Sequence, residues 1–213
     1  MTYINRAKAL FRMVGGVLRY PSTGDDYTQF EDDGTIAFKG DSTTWDDIVG
    51  SLVNRRLTST SGRLDYDYDE NTIKMQNNGS VSSANDRLMF SFQYPHASKS
   101  DGDMRLHIHW EQTDTVTKEF TVQYRIQKNN ATKTTVWTTV VVDSNDNNVF
   151  TYTSGTLNQI TELTDIDMTG GGISATVQFR LARTDGSSGD IYATFVDAHV
   201  ERDTIGSREP YVK

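Results

Sequence analysis

The chain has 213 residues, a formal net charge of −8 and no cysteine. That length suits one domain with an appended segment. The acidic balance argues against general nucleic-acid binding, because an acidic surface repels phosphate, and the absence of thiols excludes disulfides and thiolate metal sites. Only three prolines occur, while Gly, Ser, Thr, Asn and Asp recur in clusters, as in a β protein with many turns. No apolar run is long enough to cross a bilayer. Ala9-Leu10-Phe11 is too short for a signal-peptide core, so neither membrane insertion nor secretion by that route is expected.

Residues 1–34 differ from the remainder. Ile4, Ala7, Leu10, Phe11, Val14, Val17 and Leu18 fit a helical stripe, although Gly15-Gly16 weakens a helix in its second half. Arg6, Lys8, Arg12 and Arg19 are basic, and no acid appears before Asp25. The expectation is an extended or helical docking arm that orders against a neighbouring subunit, with Leu10, Phe11, Val14 and Leu18 as contacts. Residues 35–213 form the domain. Thr35–Lys39 reads as a short strand. Ser42 to Asp47 supplies hydroxyl caps followed by acids, which predicts one or two helical turns through Leu52. Leu64, Tyr66 and Tyr68 alternate with acids as an edge strand, and Asn77-Asn78-Gly79-Ser80 reads as a turn.

Beyond that point the period of two is sustained. Leu88, Phe90, Phe92 and Tyr94 mark one strand. In Asp103–Gln112, Met104, Leu106, Ile108 and Trp110 share one side, while Arg105, His107, His109 and Glu111 share the other. Further strands run through Phe120–Ile126, Val136–Val142, a short piece near Val149–Thr153 and Ile173–Leu181, while Thr156–Leu163 fits a strand or a helical turn, the strand being preferred. In the last strand Tyr192, Thr194, Val196, Ala198 and Val200 alternate with Phe195, Asp197, His199 and Glu201. About eight to ten short strands without a long helix predict an all-β, antiparallel sandwich of the jelly-roll kind.

Two histidines two residues apart on a strand point the same way. If the last strand lies beside them, Asp197, His199 and Glu201 converge on His107 and His109. This makes His107, His109 and His199 metal candidates. The alternative is a hydrogen-bonded polar face that serves as a subunit interface through Arg105, His107, His109 and Glu111, and it is preferred here. His96 reads as a loop-packing residue. No nucleophile elbow, EF-hand loop or phosphate-cradling glycine loop is present, so no catalytic residue and no cofactor are expected. Trp45, Trp110 and Trp137 are candidates for a carbohydrate-stacking lining, with Trp110 assigned to the core.

Three stretches together resemble a known family. They are Phe38-Lys39-Gly40-Asp41 followed by Trp45-Asp46-Asp47; Tyr94-Pro95-His96 followed by Leu106-His107-Ile108-His109-Trp110; and Asp203-Thr204-Ile205-Gly206-Ser207-Arg208. Their order and spacing, over about residues 35–210, resemble virion structural proteins of tailed bacteriophages and prophages. The resemblance implies a non-enzymatic virion component. Physically, that suggests a homo-oligomer, expected to be a trimer, docked on capsid, portal or tail. The alternatives are a host-glycan-binding module using loops 97–102, 143–148 and 185–190, and a metal-dependent enzyme. Nucleic acid and membrane are not expected partners.

Overall fold

The computed structural model of the chain describes residues 12–14, 17–20, 24–31, 34–50, 65–67, 72–75, 87–147 and 158–205. The strands, in order, are β1 (Arg12–Val14), β2 (Val17–Tyr20), β3 (Tyr27–Phe30), β4 (Ile36–Lys39), β5 (Thr44–Gly50), β6 (Asp65–Asp67), β7 (Thr72–Met75) and β8 (Leu88–Gln93). They continue as β9 (Asp103–Gln112), β10 (Glu119–Gln127), β11 (Thr138–Asp143), β12 (Gln159–Asp167), β13 (Thr176–Arg183), β14 (Ile191–Arg202) and β15 (Thr204–Ile205). The expected all-β, antiparallel sandwich is what the chain forms.

The strand pairing gives a jelly roll. β10 pairs with β11, β9 with β12, β8 with β13 and β7 with β14, each antiparallel. The chain from β7 to β14 is thus one long hairpin, doubled back at the β10–β11 connection. The hairpin rolls up when β14 adds to β9 and β13 adds to β10. The outcome is a four-stranded sheet, β11-β10-β13-β8, and a six-stranded sheet built on β12-β9-β14-β7-β6, with β5 also pairing along β14. Rolling lets one face of every strand reach a common interior.

That interior is filled by the apolar half of each alternating segment. Met104, Leu106, Ile108 and Trp110 of β9 are all fully buried, as are Val177, Phe179 and Leu181 of β13. Phe90 stacks on Phe179 with ring centroids 5.0 Å apart, and Phe92 meets the same ring edge-on at 5.8 Å. The one polar atom of Trp110, Nε1–H, donates to Thr161 Oγ1 at 2.8 Å. Gly50 sits where no side chain fits, since a Cβ there would lie 2.7 Å from the Phe92 ring.

Four expectations need correction. First, the N-terminal stripe is not helical over the described residues. β1 and β2 form a hairpin in which Val14 faces Val17, leaving only Gly15-Gly16 between them, a composition suited to two-residue hairpins. β1-β2-β3-β4-β15 make a separate five-stranded sheet, so 36–39 joins the strands of the arm. Second, the turn chemistry at Ser42 yields only a 3₁₀ turn, Gly40–Ser42; Thr44–Gly50 is strand, because seven residues pair with β14. Long-range pairing overrides the local helix signal here. Third, a bulge in β14 between Ala193 and Phe195 changes the side of the strand. Ile191 and Ala193 point inward before it and Val196, Ala198 and Val200 after it, so Tyr192 and Thr194 are not core. Fourth, the polar loop at 143–148 contains a one-turn helix, Ser144–Asn147. The turn at Asn77–Ser80, the piece near Val149–Thr153, and Leu10 and Phe11 lie outside the described residues.

Candidate functional site

The polar half of β9 lies on the outer face of the six-stranded sheet, and the pairing register determines which side chains meet there. Directly opposed residues of an antiparallel pair share a face. His107 is opposite Glu162 of β12 and Asp197 of β14. Arg105 is opposite Asp165 and His199, and His199 is in turn opposite Asp47 of β5. His109 is opposite Ile160 and Phe195. Four neighbouring strands therefore deliver three histidines and four carboxylates to one patch.

Asp197 is its centre. Its Oδ1 pairs with His109 Nε2 at 3.1 Å. Its Oδ2 is 3.2 Å from His199 Nε2 and 3.9 Å from His107 Nδ1, the latter too long for a hydrogen bond. Asp47 Oδ1 reaches His199 Nε2 at 3.1 Å, and Glu162 Oε2 lies 3.7 Å from His107 Nε2. The His107 and His199 rings meet edge to face at 4.3 Å, and His109 stacks on Phe195 at 3.9 Å. Burial disfavours the Asp197 carboxylate, but the neighbouring imidazoles, His107 through its charge and His109 through its hydrogen bond and charge, outweigh it and hold its pKa well below the usual range. Burial likewise disfavours the His107 imidazolium, but Asp197 and Glu162 outweigh it, so its pKa lies above the ordinary value.

The expected convergence of Asp197 and His199 on the β9 histidines is present. Glu201 does not join it; its carboxylate goes to Thr43 Oγ1 and Lys99 Nζ. Glu162 and Asp47 are members that sequence reasoning missed, Asp47 because Ser42–Leu52 reads as helix. His107 is 4% exposed, so it has almost no surface to offer a neighbour. Of the expected contact residues on this face, Arg105, His109 and Glu111 keep exposed surface. Arg105 pairs with Asp165 and lies over the Trp45 ring at 4.8 Å. Glu111 stands opposite Tyr192, away from the cluster. His96 bonds Ser174, in keeping with a packing role.

Of the candidate glycan surfaces, Trp45 is 48% exposed, whereas two tryptophans and one loop are occupied. Trp110 is buried, and Trp137 lies under the guanidinium groups of Arg125 and Arg180, at 4.5 and 3.7 Å. The 185–190 loop is wound around Arg183, a buried side chain that bonds Asp185, Ser187, Ser188 and Gly189.

A second surface stands out on the N-terminal sheet. Leu18, Phe30, Ile36 and Ile205 are mutually opposite across β2, β3, β4 and β15, with Tyr20, Thr28 and Phe38 in the next row of the same face. The reverse face carries Arg19, Gln29, Ala37 and Thr204. Its Gln29 and Ala37 are buried, whereas Tyr20, Phe30 and Ile205 are 45%, 48% and 53% exposed. The apolar face is thus the one turned outward. Leu18, an expected contact residue, belongs to it; of Val14 only the backbone is described.

No protein-family model matches the sequence, and no curated protein matches it significantly.

Proposed function

We infer that the chain is a non-enzymatic structural component of a tailed-phage virion, forming a homo-oligomer and docking on capsid, portal or tail. The observation that carries this reading is the outward apolar face of the N-terminal sheet. A soluble sheet normally turns its apolar side inward. A contiguous apolar row such as Leu18, Phe30, Ile36 and Ile205, with Leu18 and Ile36 half-buried and Phe30 and Ile205 exposed, marks a surface that another protein covers. The short strands of a jelly roll make a rigid body, a property that suits repeated contacts in a shell or tail. The three sequence stretches that resemble phage virion proteins point the same way.

Both docking and self-association use this face, and symmetric assembly around an axis is the simplest arrangement. The test is incorporation. A Phe30→Asp variant keeps its jelly roll but enters assembling particles at no more than about a tenth of the wild-type level, since burying an unpaired carboxylate costs well over 1.4 kcal/mol. Normal incorporation of a folded Phe30→Asp chain contradicts this assignment.

A further inference from the structure

We propose that His107, Asp197 and His199 bind one divalent cation of the zinc class, tying β9 to β14 on the outer face of the six-stranded sheet. One ligand atom from each lies within 4.8 Å of the others. Asp197 Oδ2 is 3.2 Å from His199 Nε2 and 3.9 Å from His107 Nδ1. Ligands held about 2.0–2.1 Å from a tetrahedral zinc are about 3.3–3.4 Å apart. Small side-chain rotations bring the three atoms to that spacing.

His107 supplies the independent observation. The residue is 4% exposed, and its Nδ1 is sealed from solvent without a hydrogen-bond partner among the described residues. An orphaned buried nitrogen is costly, and native proteins rarely keep one. A cation between Nδ1 and Asp197 Oδ2 supplies the missing partner. The surroundings already match what a metal ligand needs. Glu162 lies 3.7 Å from the other ring nitrogen of His107, placed to accept its N–H once the ring turns to coordinate through Nδ1. His109 engages Oδ1 of Asp197 and leaves Oδ2 for the metal.

Two imidazoles and one carboxylate favour zinc and its transition-metal neighbours over calcium or magnesium, which seek shells of oxygen. Coordination through His199 Nε2 replaces the contact that this nitrogen makes with Asp47 Oδ1 at 3.1 Å. Because all three ligands lie on two strands already paired, the cation is structural: it reinforces a sheet that is formed without it. The inference is independent of the virion reading.

The test is titration of tag-free, metal-stripped wild-type protein with zinc chloride, followed by calorimetry and thermal unfolding. The expected result is one zinc per chain and a Tm raised by several degrees, with no comparable response to magnesium or calcium. His199→Gln, at a half-buried position that tolerates the change, weakens zinc binding at least tenfold. His109→Gln, which keeps an N–H for Asp197, binds within about threefold of wild type. Absence of stoichiometric zinc, equal stabilisation by calcium, or undiminished affinity in folded His199→Gln overturns the proposal.

Discussion

Lys118 is fully buried, whereas the other described lysines reach water, and its environment predicts an asymmetry between two substitutions. Its ammonium makes three contacts: Asp114 Oδ1 at 2.8 Å, Ser188 O at 2.7 Å and Ser187 Oγ at 3.2 Å. Asp114→Ala removes the only carboxylate of the three and leaves a buried charge with two neutral acceptors. Breaking a buried pair from one side costs about 3–5 kcal/mol, and the two surviving bonds place this case near 3 kcal/mol. Lys118→Met removes the charge itself. Asp114 is a quarter exposed and can rehydrate, and Ser187 and Ser188 both keep Arg183 as a donor. That substitution should cost less than about 1 kcal/mol, since apolar replacement of a buried ion is often close to neutral. Urea unfolding followed by the fluorescence of buried Trp110 measures both. A Lys118→Met variant at least as destabilised as Asp114→Ala refutes the reasoning.

The same pair gives a pH dependence. Burial raises the Asp114 pKa, but the hydrogen bond and charge of Lys118 outweigh it and leave the value lowered. A carboxyl depressed on folding contributes stability that is fully present above its unfolded pKa, about 3.9, and is lost as the pH falls through the folded value. Wild type should therefore lose stability faster than Lys118→Met in acid below about pH 4; parallel acid-unfolding curves contradict this. Thr161→Val leaves the buried Trp110 Nε1–H without its acceptor and should cost about 1–3 kcal/mol, read from the urea midpoint, whereas Thr161→Ser should be milder. Gly50→Ala drives a methyl into the Phe92 ring and should cost about 1–3 kcal/mol. Gly50→Ala combined with Phe92→Leu should recover part of that loss if the clash is the cause.

The fold was legible wherever one physical signal dominated. In β9 and β13 every second side chain is apolar over the strand, and a half-buried sheet requires that period. The jelly-roll order also follows from many short strands, although the partners of each strand do not. Register is set by contacts between distant segments, and for this reason Glu162 and Asp47 were missing from the histidine cluster. The bulge at Ala193–Phe195 carries no sequence mark, since Thr194 and Phe195 suit either side. Local rules failed in two places. The caps around Ser42 suggest a helix, yet seven residues of pairing with β14 outweigh them. The apolar positions from Ile4 to Leu18 satisfy helical spacing, but Val17-Leu18-Arg19-Tyr20 also satisfies alternation, and Gly15-Gly16 tips the balance towards a hairpin. The outward apolar face could not be anticipated from the sequence, because a strand's pattern does not say which side meets solvent.

The central claim is that this chain builds part of a phage particle through the apolar face of its N-terminal sheet. Imaging of intact virions at a resolution that traces the chain tests it directly. The account predicts copies arranged about a symmetry axis, with Leu18, Phe30, Ile36 and Ile205 covered by a neighbouring subunit. Particles that lack the chain, or that carry it with this row facing solvent, contradict the account.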